Sequence, residues 1–341
     1  MTRFLVIGAG AIGGTIGARL AHAGSDIVLV ARGEHLRAVQ SDGLRLRTPD
    51  LDTAVRVRAV GSPQDLNLTT DDVLVLATKT HQAREALALW ADAKVVSEGA
   101  VAGTAGEQLP VLTALNGVAS ETIALRYFAR VYGVCVWLPA VHLNPGEVVA
   151  RGTPASGVLH IGRVPAALTS DHDRRLLAGI AEEWTGSGVT VQVTEDVMPW
   201  KYRKLISNIS NAFRALLDAS ESAKPLIDAA TEEARSVLDG AGVVYTDDET
   251  EKAARQGSFS VGEVPGAPVH LGGSSWQSLV RGTGAIETDY LNGEIAFIAR
   301  QHGLEAPINT RVTSLAREAA RFGARPGDVS ADQLAAALGL D

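Results

Sequence analysis

Two stretches of the sequence carry residues whose types and spacing suit chemistry. The first is Gly8-Ala9-Gly10-Ala11-Ile12-Gly13, which follows the apolar run Phe4 to Ile7 and opens the small-residue stretch Ala11 to Ala23. Between a strand and a helix, Gly8 permits a tight turn, Gly10 lets backbone approach a pyrophosphate, and Gly13 allows close helix–strand packing. The amides from Ala11 and Ile12 onward sit at the positive end of the helix. Such a loop binds a dinucleotide. The plainer alternative is a turn in a chain rich in Ala and Gly, against which strand, spacing and helix all agree.

The second stretch is Trp200 to Asn211, WKYRKLISNISN, read as the opening of a long helix. At about 100° per residue, Asn208 and Asn211 fall within roughly 40° of Lys204, so the three make one stripe. A solvated face is one reading. Asn is a poor helix former, however, and gains nothing mid-helix where Glu or Lys would serve, so a buried polar site beside a cation is the other.

The choice of dinucleotide turns on the end of the second strand, where an acid bonds a ribose 2′-hydroxyl and an arginine pairs with a 2′-phosphate. Ile27 to Val30 ends in Ala31-Arg32. A guanidinium matches a phosphate in bidentate geometry, which favours NADP. Glu34 competes, but a carboxylate in a first helical turn has its own reason to be there.

The elements that must position these residues follow from periodicity. Phe4 to Ile7, Ile27 to Val30, Val73 to Ala77, Pro110 to Ala114 and Val131 to Trp137 read as strands alternating with helices, the pattern of a parallel sheet. Residues 44 to 60 alternate as a hairpin; Val148 to Ala150, Val158 to Ile161 and Val189 to Thr194 add strands. From about Asp196 long helical stretches take over: Val197 to Ala219, Ser222 to Ala241, Ile286 to His302 and Asn309 to Arg321. The exception is Gly257 to Ser275, a loop rich in Gly, Pro and Ser, including Pro265 and Pro268. The fold class is therefore α/β: a Rossmann-type dinucleotide-binding domain over 1–195, then an all-α domain over 196–341.

Composition excludes several functions. With 341 residues, two domains are the natural expectation. Thirty-one Lys and Arg against 39 Asp and Glu give a net charge of −8, the wrong balance for a nucleic-acid partner. The single cysteine, Cys135, supports neither a disulfide framework nor a thiolate zinc site, and it fits a reducing compartment, the cytoplasm. No apolar run approaches the ~20 residues of a membrane span. The eight histidines show no ligand spacing, so no metal is expected.

In order along the chain, Gly8 to Gly14, Ala31-Arg32-Gly33, Lys79-Thr80-His81-Gln82, Asn116-Gly117-Val118, Lys204-Leu205 with Asn208, Ser274-Ser275, and Glu287-Thr288-Asp289-Tyr290-Leu291-Asn292-Gly293 resemble the ketopantoate reductase family. That family consists of NADP-dependent enzymes that reduce a 2-oxo acid. The resemblance implies Lys204 as proton donor to the 2-oxo oxygen, with Glu287 keeping it charged and aimed. It implies Ser275 at the substrate carboxylate, Asn208 on a substrate oxygen, and Asn116 and Lys79 at the nicotinamide end. Arg32 would hold the 2′-phosphate, and Gln82 is a weaker cofactor candidate. Each residue also has a dull role: Ser275 as a helix N-cap, Glu287 as first-turn decoration, Asn116-Gly117 as a turn, Lys79 as surface.

Three positions depart from the family pattern. Ala212 stands where a second Asn is common, Leu115 where Gln precedes Asn-Gly, and Trp276 where Met follows the Ser pair. Asn211 is the candidate replacement for the missing Asn, pointing about 100° away. All three touch the substrate side, so another 2-oxo acid, carbonyl or imine stands beside ketopantoate as substrate, and an NADP-binding sensor without chemistry stands behind both. The expected partner is a small 2-oxo acid, with a homodimer left open. An acidic protein binding two anions must concentrate positive charge locally, at Arg32, Lys79 and Lys204.

Overall fold

The main sheet of the computed structural model has eight strands, in the order Thr190–Val193, Val158–Val164, Arg130–Trp137, Pro110–Thr113, Asp72–Leu76, Arg3–Ile7, Asp26–Val30, Arg58–Val60. Residues 2–217, 222–267, 272–282 and 284–340 are described. Every neighbouring pair is parallel except Arg130–Trp137 with Val158–Val164. The strands read as near-continuous apolar runs because both faces of the sheet are covered: Val73 and Val75 enter one cluster, Leu74 and Leu76 the other. Arg3–Ile7 lies between Asp26–Val30 and Asp72–Leu76, so the connections reverse direction there, and the carboxyl end of this strand is where open α/β sheets take ligands.

The chain divides into two units. The first comprises Met1–Leu115, Ala119–Trp200 and Asp248–Val269; the second comprises Asn116–Val118, Lys201–Asp247 and His270–Asp341. The division anticipated at residue 195 differs in detail from this one. Asp248–Val269, anticipated in the helical domain, belongs to the first unit because Phe259–Val261 pairs antiparallel with Gly152–Pro154. That pairing turns part of the anticipated glycine-rich loop into a strand. The anticipated hairpin over 44–60 is shorter, Leu44–Arg47 with Asp52–Val55, while Arg58–Val60 joins the main sheet beside Asp26–Val30. A small sheet containing Lys94–Ser97 and Ala100–Thr104 carried too little periodicity to anticipate. Asp218 and Ala219 of the anticipated long helix, and Pro268 of the loop, lie outside the described residues.

The second unit is built from helices, among them Met198–Asn208 (entered from the first unit), Ser210–Leu216, Lys224–Gly240, Ser274–Val280, Asn292–Gln301 and Pro307–Phe322. A buried amide network ties four of its segments together. Asn292 Nδ2 donates to the Ile209 carbonyl at 3.2 Å and to Asn309 Oδ1 at 3.0 Å; Asn309 Nδ2 donates to the Ala230 carbonyl and Glu233 Oε1, both at 2.9 Å. Glu233 also accepts the backbone amides of Ile308 and Asn309 at 2.8 Å, capping the Pro307–Phe322 helix. Both asparagines are completely buried, so a partner lost here is not replaced by water. Asn309→Leu is expected to destabilise the protein by about 2–3 kcal/mol in urea unfolding followed by circular dichroism, since it strands buried donors and acceptors; an unchanged midpoint would show that the network contributes nothing.

Among the described residues, no helix is long and apolar enough to cross a membrane.

Candidate active site

The glycine loop lies over the carboxyl end of the first strand, where the amides of Gly8 and Ala9 both donate to the Val30 carbonyl at 3.1 Å. Two of its glycines answer to internal sterics. A Cβ on Gly8, at φ +104°, would lie 2.9 Å from the carbonyl of Ala77 and the nitrogen of Thr78. One on Gly13 would lie 2.1 Å from the Gly8 carbonyl oxygen. Gly10 is different: nothing among the described residues comes within 4 Å of a Cβ there. Its smallness answers to no contact among the described residues, which is what a backbone that admits a pyrophosphate requires. Gly10 is also the N-cap of helix α1 (Ala11–His22), and with no side chain it leaves the first amides uncapped, Ala11 and Ile12 among them. The loop therefore fits a dinucleotide.

Arg32 is the N-cap residue of helix α2 (Gly33–Asp42), just past the Asp26–Val30 strand, and it is exposed. Its guanidinium makes no ion pair or hydrogen bond among the described residues. Glu34 is exposed in the first turn of α2, the ordinary place for an acid. Lys79 is half-buried at the start of helix α3 (Thr80–Ala91). Gln82 is exposed, and its Oε1 accepts the Lys79 amide at 3.4 Å, a helix-start contact that already explains this side chain. Sequence reasoning passed over Thr78, whose buried hydroxyl has no partner among the described residues and whose backbone nitrogen lies against Gly8. No spacing rule marks a threonine at a strand end.

In the second unit, the anticipated lysine helix is broken. It runs as Met198–Asn208, then Ser210–Leu216, with Ile209 between them. The Ile209 amide bonds the carbonyl three residues back, at 3.3 Å to Ile206, while Asn292 takes up the Ile209 carbonyl. A side chain entering the helical ladder is an ordinary cause of such a break. Immediately before it, Asn208 is buried and its Nδ2 donates to Asn116 Oδ1 at 3.3 Å; Asn211 Nδ2 donates to Asn208 Oδ1 at 3.5 Å. The structure thus brings Asn116, Asn208 and Asn211 together as a chain of amides, with Lys204, half-buried, one turn before Asn208. The solvated-face reading of this stripe fails on the burial of Asn208.

Ser275 is not the N-cap of its helix. Gly273 holds that place, and Ser275 is the second residue of Ser274–Val280, 1% exposed, with no hydrogen-bond partner for its hydroxyl among the described residues. The hydroxyls of Ser274 and Thr288 are also buried without partners among the described residues. Glu287 does not decorate the first turn of an α-helix either. It starts the 3-10 turn Glu287–Tyr290, separated from Asn292–Gln301 by Leu291 at φ −120°, ψ −95°, and it is 4% exposed. Gly117, at φ +77°, passes so close to the Tyr290 carbonyl that a Cβ would lie 2.6 Å away, so Asn116-Gly117 packs against this same turn. A buried carboxylate, a half-buried ammonium, an amide chain and unpartnered hydroxyls are the groups needed to hold an anionic, carbonyl-bearing small molecule and deliver a proton to it.

Comparison with known proteins covers both units. Residues 4–166 match the family described as "Ketopantoate reductase PanE/ApbA", and residues 196–320 match "Ketopantoate reductase PanE/ApbA C terminal". The 2-dehydropantoate 2-reductase of Pyrococcus horikoshii is 26% identical over 94% of this chain and 98% of its own length. That of Caulobacter vibrioides is 25% identical over 94% and 100%. Among solved structures, a PanE/ApbA family ketopantoate reductase from Ralstonia eutropha superposes with a TM-score of 0.72 at 25% identity, covering 94% of this chain and 99% of that one. D-mandelate dehydrogenase in complex with NADH and anilino(oxo)acetate reaches a TM-score of 0.74 at 20% identity with the same coverage, a likeness of fold. With both halves matched in order by the family's two domains, the chain belongs to the ketopantoate reductase family, a family of oxidoreductases.

Proposed function

We propose that this protein is an NADPH-dependent reductase of a 2-oxo acid, with ketopantoate, the substrate named in its relatives, as the first candidate. The observation that carries the reading is the Ser275 hydroxyl, buried without a partner among the described residues. A buried polar group left unpaired is costly, and a substrate carboxylate would complete it. NADPH, when bound, supplies the hydride that adds to the oxo carbon. Lys204 gives a proton from Nζ to the oxo oxygen, which becomes the hydroxyl, and its positive charge stabilises the oxygen as charge develops there. Glu287 favours the charged form of that ammonium. Asn208, held by Asn116 and Asn211, offers the substrate oxygen a hydrogen bond from a fixed direction. Lys79 and Asn116 serve the nicotinamide end, and Gln82 at most assists the cofactor.

The test is loss of NADPH absorbance on mixing enzyme, NADPH and ketopantoate; no turnover with any 2-oxo acid would sink the reading. Arg32 assigns the cofactor, because an exposed guanidinium at the end of the second strand suits a 2′-phosphate. Arg32→Ala is expected to weaken NADPH binding by about ten- to a hundredfold and leave NADH binding unchanged, the size of a lost charge-assisted pair. Equal losses for both nucleotides in a fluorescence titration would remove Arg32 from this role.

A second reading concerns the substrate alone. Trp276 folds back over Gly272, where a Cβ would lie 2.3 Å from the indole, and Gly273 lies against Asn211, with 3.1 Å from a Cβ to Oδ1. A bulky ring beside the Ser pair favours a 2-oxo acid with a flat side chain over ketopantoate. A substrate panel ranked by kcat/KM decides between them, with imines included as the remaining alternative.

A further inference from the structure

The glycine loop is tied to the rest of the first unit by a histidine to which the cofactor reading gives no role. His35 lies in α2, three residues after Arg32. Its Nε2 lies 2.8 Å from the Ala9 carbonyl inside the glycine loop, and the Gly146 amide lies 2.9 Å from its Nδ1. Both partners are backbone groups of fixed polarity. A carbonyl only accepts and an amide only donates, so the ring must be neutral with its proton on Nε2.

The far end of this bridge is rigid. Gly146 adopts φ +77°, and a Cβ there would lie 2.9 Å from Ala38 Cβ, so the turn is pressed against α2. The Gly146 carbonyl accepts the Arg45 amide at 2.9 Å, and His142 Nδ1 donates to the Glu147 carbonyl at 3.0 Å across the same turn. The near end, Ala9, has its amide on Val30, and His35 ties the same residue a second time through its carbonyl.

We propose that His35 is a positioning residue for the dinucleotide: as the neutral Nε2–H tautomer it fastens the Ala9 carbonyl of the glycine loop to the Gly146 turn and holds the loop in its binding shape. This rests on the reading of the loop as a dinucleotide site and adds a residue and a pH dependence to it. Protonation would bring an Nδ1–H against the Gly146 N–H, two donors facing each other, and break the bridge.

The charged surroundings do not favour that imidazolium. The His142 ring is centred 4.3 Å away, and a charge there opposes a second one. The Glu147 carboxylate on the same turn faces Arg45 and Arg47, each at 3.5 Å. Glu34 and Arg37 flank His35 in α2, with Arg32 at its start. Burial first, and His142 second, hold His35 below the usual imidazole range. The bridge is therefore intact above that range and lost as the pH falls through the lowered value.

The experiment is fluorescence titration of the full-length protein with NADPH across acid to neutral pH, for wild type, His35→Ala and His35→Gln. Gln places an amide N–H near the Nε2 position and does not titrate. At neutral pH, His35→Ala is expected to weaken NADPH binding roughly tenfold, the size of one lost hydrogen bond to the loop, with kcat and the 2-oxo acid KM unchanged. His35→Gln should recover most of that loss. Wild-type affinity should fall on acidification more steeply than that of His35→Gln, a comparison that stands even if His35→Ala does not fold. Wild-type affinity in His35→Ala, no recovery in His35→Gln, or parallel pH profiles would each overturn the proposal. If wild type binds neither NADPH nor NADH, the dinucleotide reading itself falls and takes this one with it.

Discussion

Lys204→Ala is expected to lower kcat by a factor of about 10²–10⁴ while NADPH still binds, because under the proposed mechanism the change removes the general acid and the positive charge that stabilises the developing oxyanion. That factor corresponds to about 3–5 kcal/mol of transition-state stabilisation. The direction of the change separates two roles. If Lys204 merely anchored the substrate carboxylate, its loss would raise KM with kcat preserved, because substrate and transition state would lose equally. If it is the proton donor, kcat falls first. Ser275→Ala supplies the control for anchoring, since that side chain is assigned to the carboxylate. Steady-state kinetics on both variants with the best 2-oxo acid, plus a fluorescence titration with NADPH, reads all three quantities. A Lys204→Ala enzyme with wild-type kcat would end the assignment.

Lys204 is confined in a way consistent with this demand. Four residues later Asn208 is fixed by Asn116, and one residue beyond that the Ile209 carbonyl is fixed by Asn292. The end of the helix that carries the lysine is thus held from two sides. A proton donor misplaced by an ångström loses much of its effect, so a buried amide network serves here better than an apolar contact that tolerates slippage.

The uneven legibility of the sequence has a physical cause. The glycine loop could be read because its requirements are local: a strand end, a turn at positive φ and a helix start lie within six residues, and each glycine answers to a neighbour or to open space. The strands of the parallel sheet were legible because burial on both faces leaves continuous apolar runs. The break at Ile209 was not, because the side chain that takes its carbonyl, Asn292, is 83 positions away. Phe259–Val261 looked like loop for the same reason, its partner strand Gly152–Pro154 being more than a hundred residues earlier. Glu287 was found by resemblance, yet its burial in a 3-10 turn was hidden, since the helical period of Asn292–Gln301 extends smoothly backward on paper. His35 escaped notice because a histidine's role depends on what faces each nitrogen, which spacing does not reveal.

The glycine loop permits a sharper separation of fold from function than the lysine does. Gly13→Ala would place a methyl 2.1 Å from the Gly8 carbonyl oxygen, 2.8 Å from Ala77 Cβ and 2.9 Å from Val6 Cγ1. The first of these is backbone held by the main sheet and cannot swing aside. Overpacking of this kind costs about 3 kcal/mol or more, so a large fall in thermal midpoint is expected, with cofactor affinity lost along with the fold. Gly10→Ala should do the reverse. Its backbone, at φ −75° and ψ −156°, is open to any residue, and a Cβ there meets nothing within 4 Å. Stability should fall by no more than about 1 kcal/mol, the cost of Ala in place of Gly at an N-cap, while NADPH and NADH both weaken by at least about tenfold because the methyl stands where the pyrophosphate must approach. Two alanines three residues apart would then fail for opposite reasons, one in a melting curve and the other in a titration. If Gly10→Ala bound the dinucleotide as well as wild type, the open space around that Cβ would not be the pyrophosphate's, and the loop would be a turn that merely packs a helix onto a sheet.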